Sequence, residues 1–386
     1  MTQVQFNLNL ESLTGKINHS NLDEITKAAI VLVFNEIMKK EQDDYLRASS
    51  YERIESRVDY RNGYYERELI LSSGKITLKV PRTRSGEFSP SLFERYSRVE
   101  QSLVLSMMEM VIQGVSTRKV THIVEQLCGQ NVSKSFVSSM TEKLDPIVRK
   151  WSTRQLNAIY YPYVSVDAMY IKVREHQKVV SKAVYIAQGF TNRNKKEIIG
   201  FMVSHQESYE AWKEFLQSLK QRGLASPKLM ISDAHQGLKK AISTVFIGTP
   251  WQRCTVHFKR NLFSELPKKG MEIEKAIIKD IFNSLDAEMA REKLEKFLVT
   301  YKENRKLQKT LTKLEEGFED AIQFLNEPIK WQRHIRSTNS LERLNQEIRR
   351  REKVIRIFPN DNSAFRLIGA LLIELDERKS QKNILS

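Results

Sequence analysis

The chain has 386 residues, 40% of them hydrophobic, with only 14 Gly and 9 Pro; it is long enough for two or three domains, and this composition excludes a disordered chain. Lys plus Arg number 63 against 47 Asp plus Glu, a net charge of +16 at pH 7, which favours a polyanionic partner such as nucleic acid over a merely basic surface. Two cysteines, Cys128 and Cys254, exclude a disulfide framework, and no apolar run nears the roughly 18 residues of a membrane span.

The opening MTQVQFNLNLESL has neither a basic nor an apolar signal region, which predicts a cytoplasmic protein, nucleoid-associated if its partner is DNA. Residues 21–47 predict a helix capped by Asn21 or Ser20, with Ile25, Ala28, Ala29 and Leu32 at helical spacing. Alternation of Leu69, Leu71, Ile76, Leu78 and Val80 about Ser72-Ser73-Gly74 predicts a β-hairpin over about 63–82. Its Arg61, Arg67, Arg82 and Arg84 suit a ribbon lying along phosphates, or else simply solvate the hairpin. Over about 116–146 a helix through Leu127, a stop at Gly129 and a second helix capped by Ser133 form a helix-turn-helix pattern, with Arg118, Lys119 and Lys134 as candidate DNA contacts; an ordinary helical hairpin reads the same way. A possible linker follows Pro146, over 146–158.

From about 155 the texture becomes strand-rich. Three strands, 160–173, 179–190 and 197–204, are close enough for an antiparallel meander. A helix with Trp212, Phe215, Leu216 and Leu219 on one face, a strand ending at Asp233, a second helix and a fifth strand over 251–256 complete an α/β unit with a mixed five-stranded sheet. Residues 258–330 predict only helices, and 331–386 two more.

Asp167 sits mid-strand in VSVDAMYIKV, where a carboxylate is costly unless paired or bound to metal. If its strand and the one ending at Asp233 are parallel neighbours, the two carboxylates converge. Mutual repulsion would then raise their pKa values, and hard oxygen ligands suit Mg²⁺ or Mn²⁺. The competing role for Asp233 is a helix N-cap. A third acid is available in STNSLERLNQEIRRR: Asn339, Glu342, Asn345 and Arg349 share one helical face beside Leu341, Leu344 and Ile348, and Arg349, Arg350 and Arg351 suit DNA phosphates.

These blocks resemble the Mutator-type DDE transposases of bacterial insertion sequences, the insertion sequence 256 family. The resemblance is carried by VSVDAMYIKVRE, ISDAHQGLKKAI, WQRCTVHFKRN and STNSLERLNQEIRRREKVIRIFPN, with RNGYYER, VPRTRSGEFSP and NVSKSFVSSM, over roughly 40–380. It implies an RNase H-like catalytic domain formed by 155–257 and 331–386, an all-helical insertion over 258–330, and a DNA-binding region over 1–150. It implies Asp167, Asp233 and Glu342 as catalytic metal ligands, selecting Glu342, Arg343 and Asn345 over the registers of Glu347 or Glu352. Two ions, recognition of terminal inverted repeats, cleavage and strand transfer into target DNA, and a homodimer to pair two ends follow from it. The rival functions are an RNase H-like nuclease or resolvase, and a transposase-derived regulator with a dead site. Cys254 and His257 match a Cys-x-x-His element of the family. They share a face only if the fifth strand gives way to helix, and we expect them to serve DNA near the cleavage site rather than structural zinc.

Overall fold

The computed structural model describes residues 22–71, 73–95, 101–128 and 132–380. The chain divides into two compact units, Met1–Glu142 and Lys143–Ser386.

The first unit begins with α1 (Leu22–Leu46), followed by β1 (Arg61–Leu71) and β2 (Gly74–Thr83), an antiparallel pair. Alternation turns Leu69, Leu71, Ile76, Leu78 and Val80 to one face, where they bury against Met38 and the partly buried Ile30, Val31 and Phe34 of α1. The packed stripe therefore lies further along α1 than the expected Ile25, Ala28, Ala29 and Leu32, which are only half-buried. Phe34 and Met38, four apart, offer the hairpin far more apolar area than two alanines. Gly74 has φ +115°, a backbone conformation that L side chains rarely adopt, so glycine suits this turn. The helices α2 (Ser91–Arg95), α3 (Gln101–Ile112), α4 (Thr117–Cys128) and α5 (Lys134–Thr141) follow. Ser133 caps α5, its Oγ accepting from Phe136 N at 3.0 Å. Gly129, Ser72 and the proposed caps Ser20 and Asn21 lie outside the described residues.

The second unit opens with α6 (Asp145–Ser152). Pro146 lies in its first turn, where a missing N–H leaves no helical bond unmade, so no linker begins there and α6 belongs with the residues after it. The sheet runs β5-β4-β3-β6-β7, from β3 (Tyr163–Glu175), β4 (Lys178–Phe190), β5 (Lys196–Ser204), β6 (Leu229–Ser232) and β7 (Trp251–Arg253). The first three form the expected antiparallel meander, and β6 and β7 extend it in parallel. The connecting helices α7 (Tyr209–Gln221) and α8 (Gln236–Val245) cover one face, packing Trp212, Phe215, Leu216, Leu238 and Ile242 on Val164, Val166 and Met230.

The other face, with Tyr163, Leu229 and Ile231, receives α9 (Thr255–Glu265), α10 (Glu272–Ile281), α11 (Ala287–Tyr301), α12 (Gln308–Ala321) and α13 (Ile329–Ile335). The fully buried Gln252 ties these helices to the sheet: its Nε2 donates to Ala321 O (2.8 Å) and its Oε1 accepts from Phe324 N (2.8 Å). The fifth strand ends at Arg253 rather than 256, because α9 starts at Thr255. Two last helices, α14 (Asn339–Ile355) and α15 (Asp361–Ser380), close the unit. No helix among the described residues is long and apolar enough to cross a membrane.

Candidate active site

Parallel register brings the first two acids level. The last register pair between β3 and β6 is Ser165↔Ile231. Asp167 and Asp233 each stand two residues further on, so both share the face of Ser165 and Ile231, at the edge where β6 ends. Asp233 is not spent on a helix: His235 caps α8, its Nδ1 accepting from Leu238 N at 3.3 Å.

Asp167 is held on both oxygens. Oδ1 accepts from Ala168 N (2.9 Å) and Oδ2 from Asn345 Nδ2 (2.8 Å) on α14. Burial foremost, then the Asp233 carboxylate, lift its pKa from 3.8 to about 7. Glu207, which no sequence pattern singled out, adds to that lift from the segment before α7, where Trp212 Nε1 holds it at 3.0 Å.

The strand-to-helix switch after Arg253 puts Cys254 at the N-cap of α9 and His257 in its first turn, on one face. Cys254 is fully buried and accepts from Thr338 N and Oγ1, both at 3.4 Å. Burial opposes ionisation of the thiol, but the His257 and Thr338 donors outweigh it and lower its pKa. The same sulfur is the main cause raising His257 to about 8; burial opposes it, and Glu342 and Asp167 add to it. Thr255 N and Oγ1 each donate to Arg336 O at 3.0 Å, which stitches α9 to the segment leading into α14.

That stitch carries Glu342 to His257, with Oε1 2.8 Å from Nε2. The contact is not aligned as a hydrogen bond, so Glu342 Oε1 is a buried acceptor left unsatisfied, as is Asn345 Oδ1. The other acids on α14 are occupied elsewhere: Glu347 pairs with Arg351 and, at 3.6 Å, with Arg350, and Glu352, its pKa raised by burial, accepts near the Lys172 main chain.

Several expected DNA contacts take other roles. Cys254 (0% exposed) is too deep to reach DNA. Asn345 (8%) orients Asp167, and Arg351 (6%) is folded onto Glu347. Asn339, Arg343, Arg349 and Arg350 remain exposed. In the first unit Arg61 turns inward, bonding Asp43 (2.5 Å) and Ala48 O (2.6 Å). Arg67, Arg82 and Arg84 lie over Phe93, Tyr65 and Tyr60, and Arg118, Lys119 and Lys134 are exposed. Arg253, passed over in the sequence, ends β7 with its charge felt by Asp233 and its Nε buried without a partner; a basic residue directly before Cys254 was the available signal.

The donor chemistry suits a hard cation: two level carboxylates, one short of counter-charge, with a third carboxylate, Glu342, ion-paired to His257. As arranged, no group of three or more His, Cys, Asp or Glu among the described residues is set to hold a metal, since Glu342 turns to His257.

The sequence is similar to known proteins over nearly its whole length. The sequence model of the family described as "Transposase, Mutator family" matches residues 1–381. The chain is 49% identical over 377 residues to the transposase for insertion sequence element IS256 in transposon Tn4001 of Staphylococcus aureus, covering 98% of this chain and 96% of that protein. To the transposase for insertion sequence element ISRM5 of Rhizobium meliloti it is 41% identical over 364 residues, 94% of this chain and 90% of that one. With the transposase for insertion sequence element IS905 of Lactococcus lactis it shares 28% identity over 374 residues, 96% and 94% of the two chains.

Proposed function

The chain belongs to the Mutator family of transposases, and on that premise we propose that it binds the terminal inverted repeats of an insertion sequence and cuts and joins DNA strands at the sheet edge bearing Asp167 and Asp233. The observation that carries this is the register of β3 and β6, which makes the two acids level neighbours on one face. We read the second unit as an RNase H-like catalytic domain interrupted by the α9–α13 helices, and α4 and α5 as a helix-turn-helix on duplex DNA. Pairing two ends calls for a second copy of the chain, so a homodimer is the minimal working form, acting at the nucleoid.

Asp167, Asp233 and Glu342 would hold Mg²⁺ or Mn²⁺, two ions in all. Bound there, the ions would activate the attacking oxygen and stabilise the leaving oxygen of an in-line phosphodiester displacement. The protein groups prepare that site. Asn345 fixes the Asp167 carboxylate through Oδ2. Near neutrality Asp167 retains a proton for part of the time, which limits its repulsion of Asp233. His257 takes Glu342 Oε1, so the third acid is held at the rim until it rotates inward. The exposed Arg343, Arg349 and Arg350 on α14 offer donors to the phosphate backbone.

Asp167→Asn, Asp233→Asn and Glu342→Gln should each reduce cleavage and joining of a duplex carrying the element's own end by orders of magnitude, while leaving binding of that duplex nearly intact. Glu347→Gln should keep both reactions. Wild-type strand transfer in any of the first three would remove that residue from the site. Cleavage without joining by the wild-type chain would make it a nuclease, and end binding without either reaction a regulator.

A further inference from the structure

A second feature lies outside the carboxylates. Between the end of α10 and α13 is a cavity of about 220 Å³, floored by Phe282 and Phe324. Water takes about 30 Å³ each, so a phosphate group and a few waters fit. Its polar lining is Asn283, Ser284, Gln332, Arg333 and Arg336. Ser284 is 6% exposed, and its Oγ is buried with no hydrogen-bond partner. A buried hydroxyl left unsatisfied is a cost that a ligand oxygen would remove.

The charge around this cavity is one-sided. Lys259 has its pKa lowered, first by burial and then by Arg336 and Lys279, so cations crowd the same neighbourhood. Among the described residues, Arg336 Nη1 reaches the neutral Asn283 Oδ1, at 3.4 Å, and no carboxylate. The nearby acids are engaged elsewhere: Asp280 with Lys293 (2.7 Å), Asp286 at the cap of α11 through Met289 N (2.8 Å), and Glu327 with Tyr163 Oη (2.7 Å). Among the described residues, Arg333, Arg336, Lys259 and Lys279 form no ion pair with a carboxylate. Uncompensated cations around an unsatisfied donor make a site for an anion rather than for a neutral or cationic group.

The cavity adjoins the catalytic edge. Arg336 O is the acceptor for Thr255, two residues before His257, and Thr338 holds Cys254. On the transposase reading, a DNA strand entering the active site would run past this segment. Resting on the transposase reading, we propose that this cavity receives one phosphodiester phosphate of that strand, with Arg333 and Arg336 supplying guanidinium donors and Ser284 its hydroxyl.

The test uses the full chain and the element's end duplex, whose sequence is read from the DNA flanking the gene, in EDTA so that binding alone is measured. Single methylphosphonates, each removing one phosphate charge, are scanned through the cleavage region. One position should weaken wild-type binding, and in Arg336→Gln that position should carry no penalty. Arg336→Gln should also make the log–log salt slope shallower by about 0.9, one phosphate contact. Ser284→Ala should bind more weakly yet melt no lower than wild type, since it loses only a partnerless buried hydroxyl. That pairing marks a group kept for a ligand rather than for the fold. An unchanged methylphosphonate profile and salt slope in Arg336→Gln, with wild type still preferring ends, would overturn the cavity assignment alone. A wild-type chain with no preference for ends would overturn it together with the transposase reading.

Discussion

Asp167 is a residue whose placement costs the fold and serves the chemistry. Its carboxyl titrates near 7 in the folded chain against about 3.8 in an open one, because burial and Asp233 disfavour the ionised form. A raised folded pKa means that its contribution to stability is fully present below about 4 and is lost as pH rises through 7. At 1.36 kcal/mol per unit, and with Asp167 partly open to solvent, the loss is on the order of 2–4 kcal/mol by pH 8. In EDTA, Asp167→Asn should therefore match wild type near pH 4 and exceed its stability at pH 8, measured by urea unfolding. Adding Mg²⁺ at pH 8 should narrow the gap by stabilising wild type selectively. Equal stability at both pH values would mean that Asp167 is not strained in the metal-free chain.

At the scale of elements, α15 shows where close packing decides the sequence. It lies against β5 and α6, with the 6%-exposed Arg366 bonding both oxygens of Asp145 (2.6 and 2.9 Å). A Cβ on Gly369 would strike Val148 Cγ1 and stand 2.8 Å from Phe201 Cζ. Alanine gains about 1 kcal/mol of helix propensity, but overpacking costs roughly 1–3, so Gly369→Ala should lower stability in urea unfolding. The meander, α7, α8 and both aspartates could be read from the sequence because period-2 and period-3.6 patterns report burial directly, and a strand–helix–strand connection implies parallel neighbours. Leu341, Leu344 and Ile348 were likewise legible as the buried face of α14. Tertiary partners were not. Nothing local distinguishes Asn345, which bonds Asp167 from 178 positions away, from the exposed Asn339 on the same helix. The same holds for Glu207 beside Asp167, for Arg351 folded onto Glu347, and for Thr338 on Cys254, each fixed by the packing of distant segments. The stripe on α1 was displaced for a related reason: helical spacing names possible faces, and the hairpin selects among them.

For the molecule as a whole, a net charge of +16 predicts DNA affinity that falls steeply with salt, yet the count alone does not say which cations act. The structure separates two kinds in the first unit. Arg61 is built into the fold: its guanidinium joins Asp43 to the Ala48 and Ser49 carbonyls, bracing α1 against the start of β1. Lys134 stands exposed in the first turn of α5, with no ion-pair partner among the described residues. A phosphate contact contributes about 0.9 to the log–log salt slope, whereas a structural brace contributes nothing to it directly. Lys134→Gln should therefore leave the melting temperature unchanged and weaken end binding, with a slope shallower by about 0.9 in a fluorescence titration from low to moderate salt. Arg61→Gln should do the reverse, lowering the melting temperature while the folded fraction keeps the wild-type slope. If Arg61→Gln instead reduced the slope at full stability, the hairpin's arginines would lie on the DNA after all. An unaltered slope in Lys134→Gln would move the end-binding surface off α5.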